Sequence, residues 1–289
     1  MGILVTLRDT IFDLEDVREL TPEILEICLE QAGVFPSVTR QYFENTDHGF
    51  RHSQAVWDRC QEIIRQSPLL WQMTKMQIDC TESCALKVLI LASIFHDIGR
   101  FLGSSFETHE AVGAELARII VEGSCIEEAF FHAILHHDYI SPLVSGQEMP
   151  YSAMLPFSEI FRLADKTSIS PKDEIRRYHQ TGKRVAPDVP VFDLTIPDEI
   201  RFNFNSGFKK GDELSWFLII FALQSTDFTY GDSRDAYAYW ARGKREALET
   251  IGDLCLEEEY LEGKTPVDPN KAKDVIRRFC KKYDLILAT

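Results

Sequence analysis

Residues 84–95, CALKVLILASIF, are apolar on almost every side, and the run ends directly in His96 and Asp97. A helix that is greasy all round has no solvent face, so it must be the buried centre of a helical assembly. Its ending is then the difficulty. An imidazole and a carboxylate carried into that interior cost free energy unless something pairs with them.

The neighbouring segments read as helices packed around that centre. SQAVWDRCQEII sets Val56, Cys60, Ile63 and Ile64 at helical spacing, and THEAVGAELARII puts Val112, Leu116, Ile119 and Ile120 on one stripe. SCIEEAFFHAILHHD begins with Ser124 and Glu127 in capping-box spacing, followed by Ile126, Phe130, Ala133 and Ile134. PFSEIFRLADKTS is a short helix opened by Pro156.

Past residue 185 the pattern changes. VAPDVPVFDLTIPDEI holds three prolines among alternating apolar residues, which marks a connector, and residues 200–205 alternate as one short strand would. Helical spacing returns near 213–225, 235–259 and 270–283. The expected architecture is all-α. It has an N-terminal helical segment over 1–47, a helical bundle over 48–185, and a mostly helical C-terminal extension over 186–289 with room for short strands.

Charge and cysteine usage narrow the function classes. A formal charge of −15 over 289 residues argues against coating nucleic acid or an anionic membrane, which takes Lys and Arg. Seven scattered cysteines lack a disulfide-framework spacing and suit a reduced, cytoplasmic setting; Cys80 and Cys84 read as small apolar residues. The longest clean apolar run, WFLIIFAL, is eight residues, against ~20 for a membrane helix. No basic and apolar leader opens the chain, and MGILVT matches a myristoylation pattern only loosely, without polybasic support.

Seven of the eight histidines fall between positions 48 and 137. His48 and His52 are four apart and extend into the stripe of Val56, Cys60 and Ile63. His96 and Asp97 extend that of Leu86, Leu89 and Ile90, and His109 opens the helix facing inward through Val112, Gly113 and Leu116. His137, beside His136, falls seven after Phe130, and Asp165 four after Phe161. One buried histidine is ordinarily a satisfied core residue. Five segments aiming His or Asp at one interior point instead to coordination, because imidazole and carboxylate are the ligands of Zn, Mn and Fe. Seven donors exceed one tetrahedral site and suit two metals bridged by a carboxylate. Two such ions ~3.5–4 Å apart form the clamp used for in-line displacement at phosphorus.

HGFRHSQAV, then HDIGR, then LADK resemble, in order and context, the HD superfamily of metal-dependent phosphohydrolases, over roughly residues 48–168. The resemblance implies a ligand set of His52, His96, Asp97 and Asp165. THEAVGAELA and ILHHD are similar to elements of bimetallic members such as the HD-GYP cyclic-dinucleotide phosphodiesterases. They imply His109, His136 and His137 on a second metal, with Asp97 as the bridge. No GYP follows HHD, which weakens a cyclic-di-GMP assignment. The family's lysine after HDxG is Arg100 here, still able to hold phosphate. His48 occupies the position where cyclic-nucleotide phosphodiesterases place a proton-donating histidine, and is read as general acid.

His132 and His179 fall outside the pattern. The basic run DEIRRYHQTGKR, with Arg176 and Arg177, reads as a solvated helix face or as a phosphate-contacting rim, and Lys166 is a weaker candidate for the same contact. The leading expectation is a phosphohydrolase, phosphodiesterase in type. It would use two divalent transition-metal ions (Fe, Mn, Zn or Ni) and a bridging hydroxide on a nucleotide, cyclic (di)nucleotide or other small anionic phosphate ester. Alternatives are a di-iron oxygenase resembling myo-inositol oxygenase and a non-catalytic ligand-binding module. The C-terminal hundred residues are expected to cover the pocket or to form a homo-oligomer contact.

Overall fold

The computed structural model describes residues 11–34, 37–45, 48–78, 81–102, 109–137, 152 and 155–168, all within one of the chain's two compact units. The C-terminal extension and its expected strand lie outside them. Among the described residues every regular element is helical. A short 3-10 turn, Val17–Glu19, precedes α1 (Pro22–Gln31), α2 (Ser37–Glu44), α3 (Phe50–Gln66), α4 (Pro68–Ile78) and α5 (Glu82–Phe95). A second 3-10 turn, Ile98–Leu102, leads to α6 (His109–Val121), α7 (Glu127–Leu135) and α8 (Pro156–Thr167).

Local chemistry sets the helix starts. Thr21 and Thr81 cap α1 and α5, each hydroxyl accepting the backbone N–H three residues on, at 3.3 Å. Pro156 stands at the first position of α8, as its fixed φ favours. Gly49 precedes α3 because a Cβ there would lie 2.1 Å from the Tyr42 carbonyl oxygen.

α5 is the centre. Val88, Leu89, Leu91, Ala92, Ile94 and Phe95 are all buried, with α3, α7 and α8 around them. α3 contributes Val56, Trp57, Cys60 and Ile63, α7 Phe130 and Ile134, and α8 Phe157, Ile160 and Phe161. Each large side chain so buried contributes ~1.5–3 kcal/mol. Phe95 meets Phe130 edge-on, with centroids 6.3 Å apart, and Phe161 meets the His96 ring at 5.6 Å. The apolar wall therefore runs up to the polar groups without a break.

Two local expectations are corrected. Ile119, expected on the inward stripe of α6, is 51% exposed; the packed face is Gly113, Leu116, Ala117 and Ile120. The small residues decide this, since a Cβ on Gly113 would lie 3.3 Å from the His96 carbonyl oxygen, so α6 docks close against the end of α5. Ser124 does not cap α7. Glu127 reaches back one residue further, accepting from the Gly123 N–H at 2.7 Å, and it also takes Arg118 Nε at 3.0 Å.

Candidate metal centre

Asp97 lies at the junction of α5 and the 3-10 turn, where the apolar helix ends, and four helices bring histidines to it or near it. Its two oxygens face different neighbours. On the Oδ2 side are His48 Nδ1 at 2.7 Å, His96 Nε2 at 3.5 Å and His52 Nε2 at 3.7 Å. On the Oδ1 side are His109 Nε2 and His137 Nε2, each at 3.5 Å, and Arg100 Nε, which donates at 2.7 Å. Asp165, from the last turns of α8, adds Oδ1 at 3.0 Å from His52 Nε2 and 3.5 Å from His96 Nε2. The donors form three groups that could hold an ion: His48, His52 and Asp97; His52, His96 and Asp165; Asp97, His109 and His137.

Backbone carbonyls aim the rings. His96 Nδ1–H donates to Ser93 O at 3.1 Å, and His137 Nδ1–H to Ile134 O at 2.6 Å. Nδ1 thus carries the proton, and Nε2 presents its lone pair to the centre. The Nε2 atoms of His96 and His137 are buried and make no hydrogen bond. Orphaned buried nitrogens are rare and need a cause. Here the spacing supplies one. Nitrogen and oxygen donors ~2.0–2.2 Å from a common cation, at tetrahedral or octahedral angles, stand roughly 3.0–3.5 Å apart. Most of the separations around Asp97 and Asp165 fall in that range, and the four at 3.5 Å are longer than ordinary hydrogen bonds. The residues fit a metal.

The electrostatics follow from crowding. Burial works against charge on Asp97, but His96, His109, His137 and His48 outweigh it and hold the carboxyl well below the usual carboxylate range. For His96, burial opposes the charge, yet Asp97 and Asp165 prevail and raise its pKa. For His52 burial wins over Asp165, and the pKa is lowered. His96 is fully buried, whereas the His48 side chain is 31% exposed, so the cluster meets solvent on the His48 side. His48 is not on α3, as the four-residue spacing suggested. It sits in the preceding turn, where Asn45 Oδ1 accepts its backbone N–H at 2.8 Å.

Six of the seven expected ligands converge: His52, His96, Asp97, His109, His137 and Asp165. His136 does not. Its Nε2 lies 2.7 Å from Ser152 Oγ, and its ring stacks on His132, centroids 5.7 Å apart and 4° from parallel. Neighbouring residues on a helical turn point about 100° apart, so with His137 tied inward His136 is turned aside. Arg100 is on the Asp97 carboxylate. Of Lys166 only the helical backbone is described, and Arg176 and Arg177 lie outside the described residues. Glu159 and Arg162, outside the expected set, are both buried on α8. Opposite charges three apart inside the apolar PFSEIFRLA stretch were the available signal.

Burial, with His132, Arg162 and His137 nearby, brings the His136 pKa down to about 4 from an ordinary 6.5. Between those values the unfolded chain binds the proton and the folded one does not, so stability falls as pH is lowered through that window. Urea midpoints at pH 7 and pH 5 are expected to show this loss, and His136→Gln to reduce it. An unchanged difference between the two midpoints in the variant would remove His136 as the source.

Comparison with protein-family models matches residues 49–169 to the HD domain. Comparison with curated proteins and with solved structures finds no match in either.

Proposed function

Residues 49–169 belong to the HD domain family, a superfamily of metal-dependent phosphohydrolases, and we propose that this chain hydrolyses a small phosphodiester at two metal positions sharing Asp97. The observation that carries the reading is the division of labour on that carboxylate, with Oδ2 facing one set of imidazoles and Oδ1 another. His52, His96 and Asp165 would hold the first cation with Asp97 Oδ2, and His109 and His137 the second with Oδ1. The second set has fewer donors from the chain, which leaves room for water and substrate. Bound there, the cations would supply Lewis acidity and acidify a water toward neutral pKa.

The chain's own groups do the rest. The carbonyls of Ser93 and Ile134 hold two imidazoles neutral at Nε2 and fixed in angle. The wall of Phe95, Phe161 and Ile98 keeps bulk water from the inner side, which strengthens every electrostatic contact inside. His48, with Nδ1 against Asp97 and its side chain at the exposed edge, hands a proton to the departing oxygen. Arg100 brings a permanent positive charge beside Asp97 Oδ1, where phosphate charge would develop.

The test is elemental analysis of chain purified without chelator, followed by assay on bis(p-nitrophenyl) phosphate. About two transition-metal ions per chain and hydrolysis lost with chelator and restored by metal are expected. One ion or none overturns the two-metal reading, and oxygen uptake by an iron-loaded chain without hydrolysis overturns the reaction class. Metal removal should also register in stability. A ligand present at a thousand times its Kd stabilises by ~4 kcal/mol, so chelation is expected to lower the Tm by several degrees. An unchanged Tm would mean that no cation is held by the fold.

A further inference from the structure

Away from this site two thiols meet. Cys84 stands in the first turn of α5, and Cys125 in the turn leading into α7. Cys125 lies close enough to Cys84 for the two thiols to act on one another, and Thr81 Oγ1 lies 3.3 Å from Cys84 Sγ. Cys84 is twelve residues before His96, and Cys125 twelve before His137. At the far end the rings of His96 and His137 meet, centroids 5.0 Å apart. α5 and α7 therefore run side by side in the same direction, with thiols adjoining where they start and site histidines adjoining where they finish. Cys28 and Cys60 differ from this pair in being buried, and burial pushes the Cys28 thiol up to about 12; the Cys125 thiol is raised too, by partial burial and by Cys84 beside it. Cys125 is exposed and Cys84 partly so.

We propose that Cys84 and Cys125 form a reversible disulfide that staples the starts of α5 and α7. The oxidant is a small disulfide of the glutathione class. The Cys125 thiolate attacks one of its sulfurs, forming a mixed disulfide and expelling one small thiolate. The Cys84 thiolate then attacks the Cys125 sulfur, forming the Cys84–Cys125 bond and expelling the second. Two protein thiols lose two protons and two electrons, and the small disulfide takes up both electrons as two thiols. The two thiols are neighbours at the starts of the two helices, and a disulfide brings their sulfurs to ~2.05 Å. The bond would close the loop from 84 to 125 in the unfolded state and so favour the fold. It would also fix the spacing of the two helices that end in His96, Asp97 and His137. The disulfide itself does not depend on what the metal site does.

The experiment treats the folded full-length chain with glutathione disulfide and maps the unreduced peptides by mass. A joined pair carrying Cys84 and Cys125, about two mass units lighter than the separate thiols, is expected. It should vanish with dithiothreitol. The oxidised chain should melt roughly 5 °C or more above the reduced one, and Cys125→Ser should lose both the bond and the shift. Cys125 held as a stable glutathione adduct overturns the proposal, as does Cys84 bonded to Cys80 instead. A bond that forms only in urea, or one without a rise in Tm, overturns it too.

Discussion

Asp97→Asn is expected to leave a folded protein without metal and without hydrolysis. The replacement keeps the shape and removes the charge that both sets of imidazoles share. Elemental analysis should fall from about two ions per chain to about none. Turnover of a phosphodiester should drop by more than ~10³-fold, since the chain loses the carboxylate common to both positions. Helical circular dichroism should be retained, because the apolar walls on α3, α5 and α8 are untouched. A second readout separates this from simple damage. In metal-free wild type the Asp97 pKa lies well below the usual value of 3.8, so its ionisation favours folding above that value. That share of stability is lost as pH falls through the folded-state pKa, and the variant should lack it. A variant retaining two metals and full activity would end the shared-carboxylate scheme.

The second large effect is expected at Gly99, which touches no metal. A Cβ built there would lie 2.1 Å from the His109 carbonyl oxygen, 2.9 Å from its carbonyl carbon and 3.1 Å from the Gly113 nitrogen. These are backbone atoms, so no rotamer change relieves the overlap. α6 would have to lift away from the 3-10 turn and take His109 with it. Overpacking of this kind costs ~1–3 kcal/mol or more, a Tm loss of roughly 5 °C at the upper end for a chain of this size. Gly99→Ala should therefore lower both stability and metal content, with the His109 side depleted before the His52 side. Wild-type melting together with a full metal complement would show that the turn can yield.

This glycine shows where the sequence was readable and where it was not. The apolar run of α5 and the period of α3, α7 and α8 announced a helical bundle, because burial imposes its spacing directly on residue type. The convergence of His52, His96, Asp97, His109, His137 and Asp165 was legible for the same reason: each continues an apolar stripe. His136 was not separable from His137, because adjacent identical side chains differ only in the angle at which they leave the turn. Nor could sequence foresee that Ile119 faces out. The contact of α6 is governed by Gly113 and Ala117, whose lack of bulk carries no hydrophobic signal. The carbonyls of Ser93 and Ile134 that aim the imidazoles had no signal at all, since every residue carries one.

The spread of the donors along the chain has a consequence for how the protein is made. His52 and Asp165 lie 113 residues apart, and the remaining donors fall between them. A ribosome adding ~5–20 residues per second needs on the order of ten seconds to pass from one to the other. During that interval the nascent chain presents histidines and one aspartate, but not the full set. In the two-metal scheme proposed above, the first position would be completed only once α8 has been synthesised and docked. Under the proposed scheme, loading would thus be a late event in biogenesis, and a bound ion would certify that the bundle has closed.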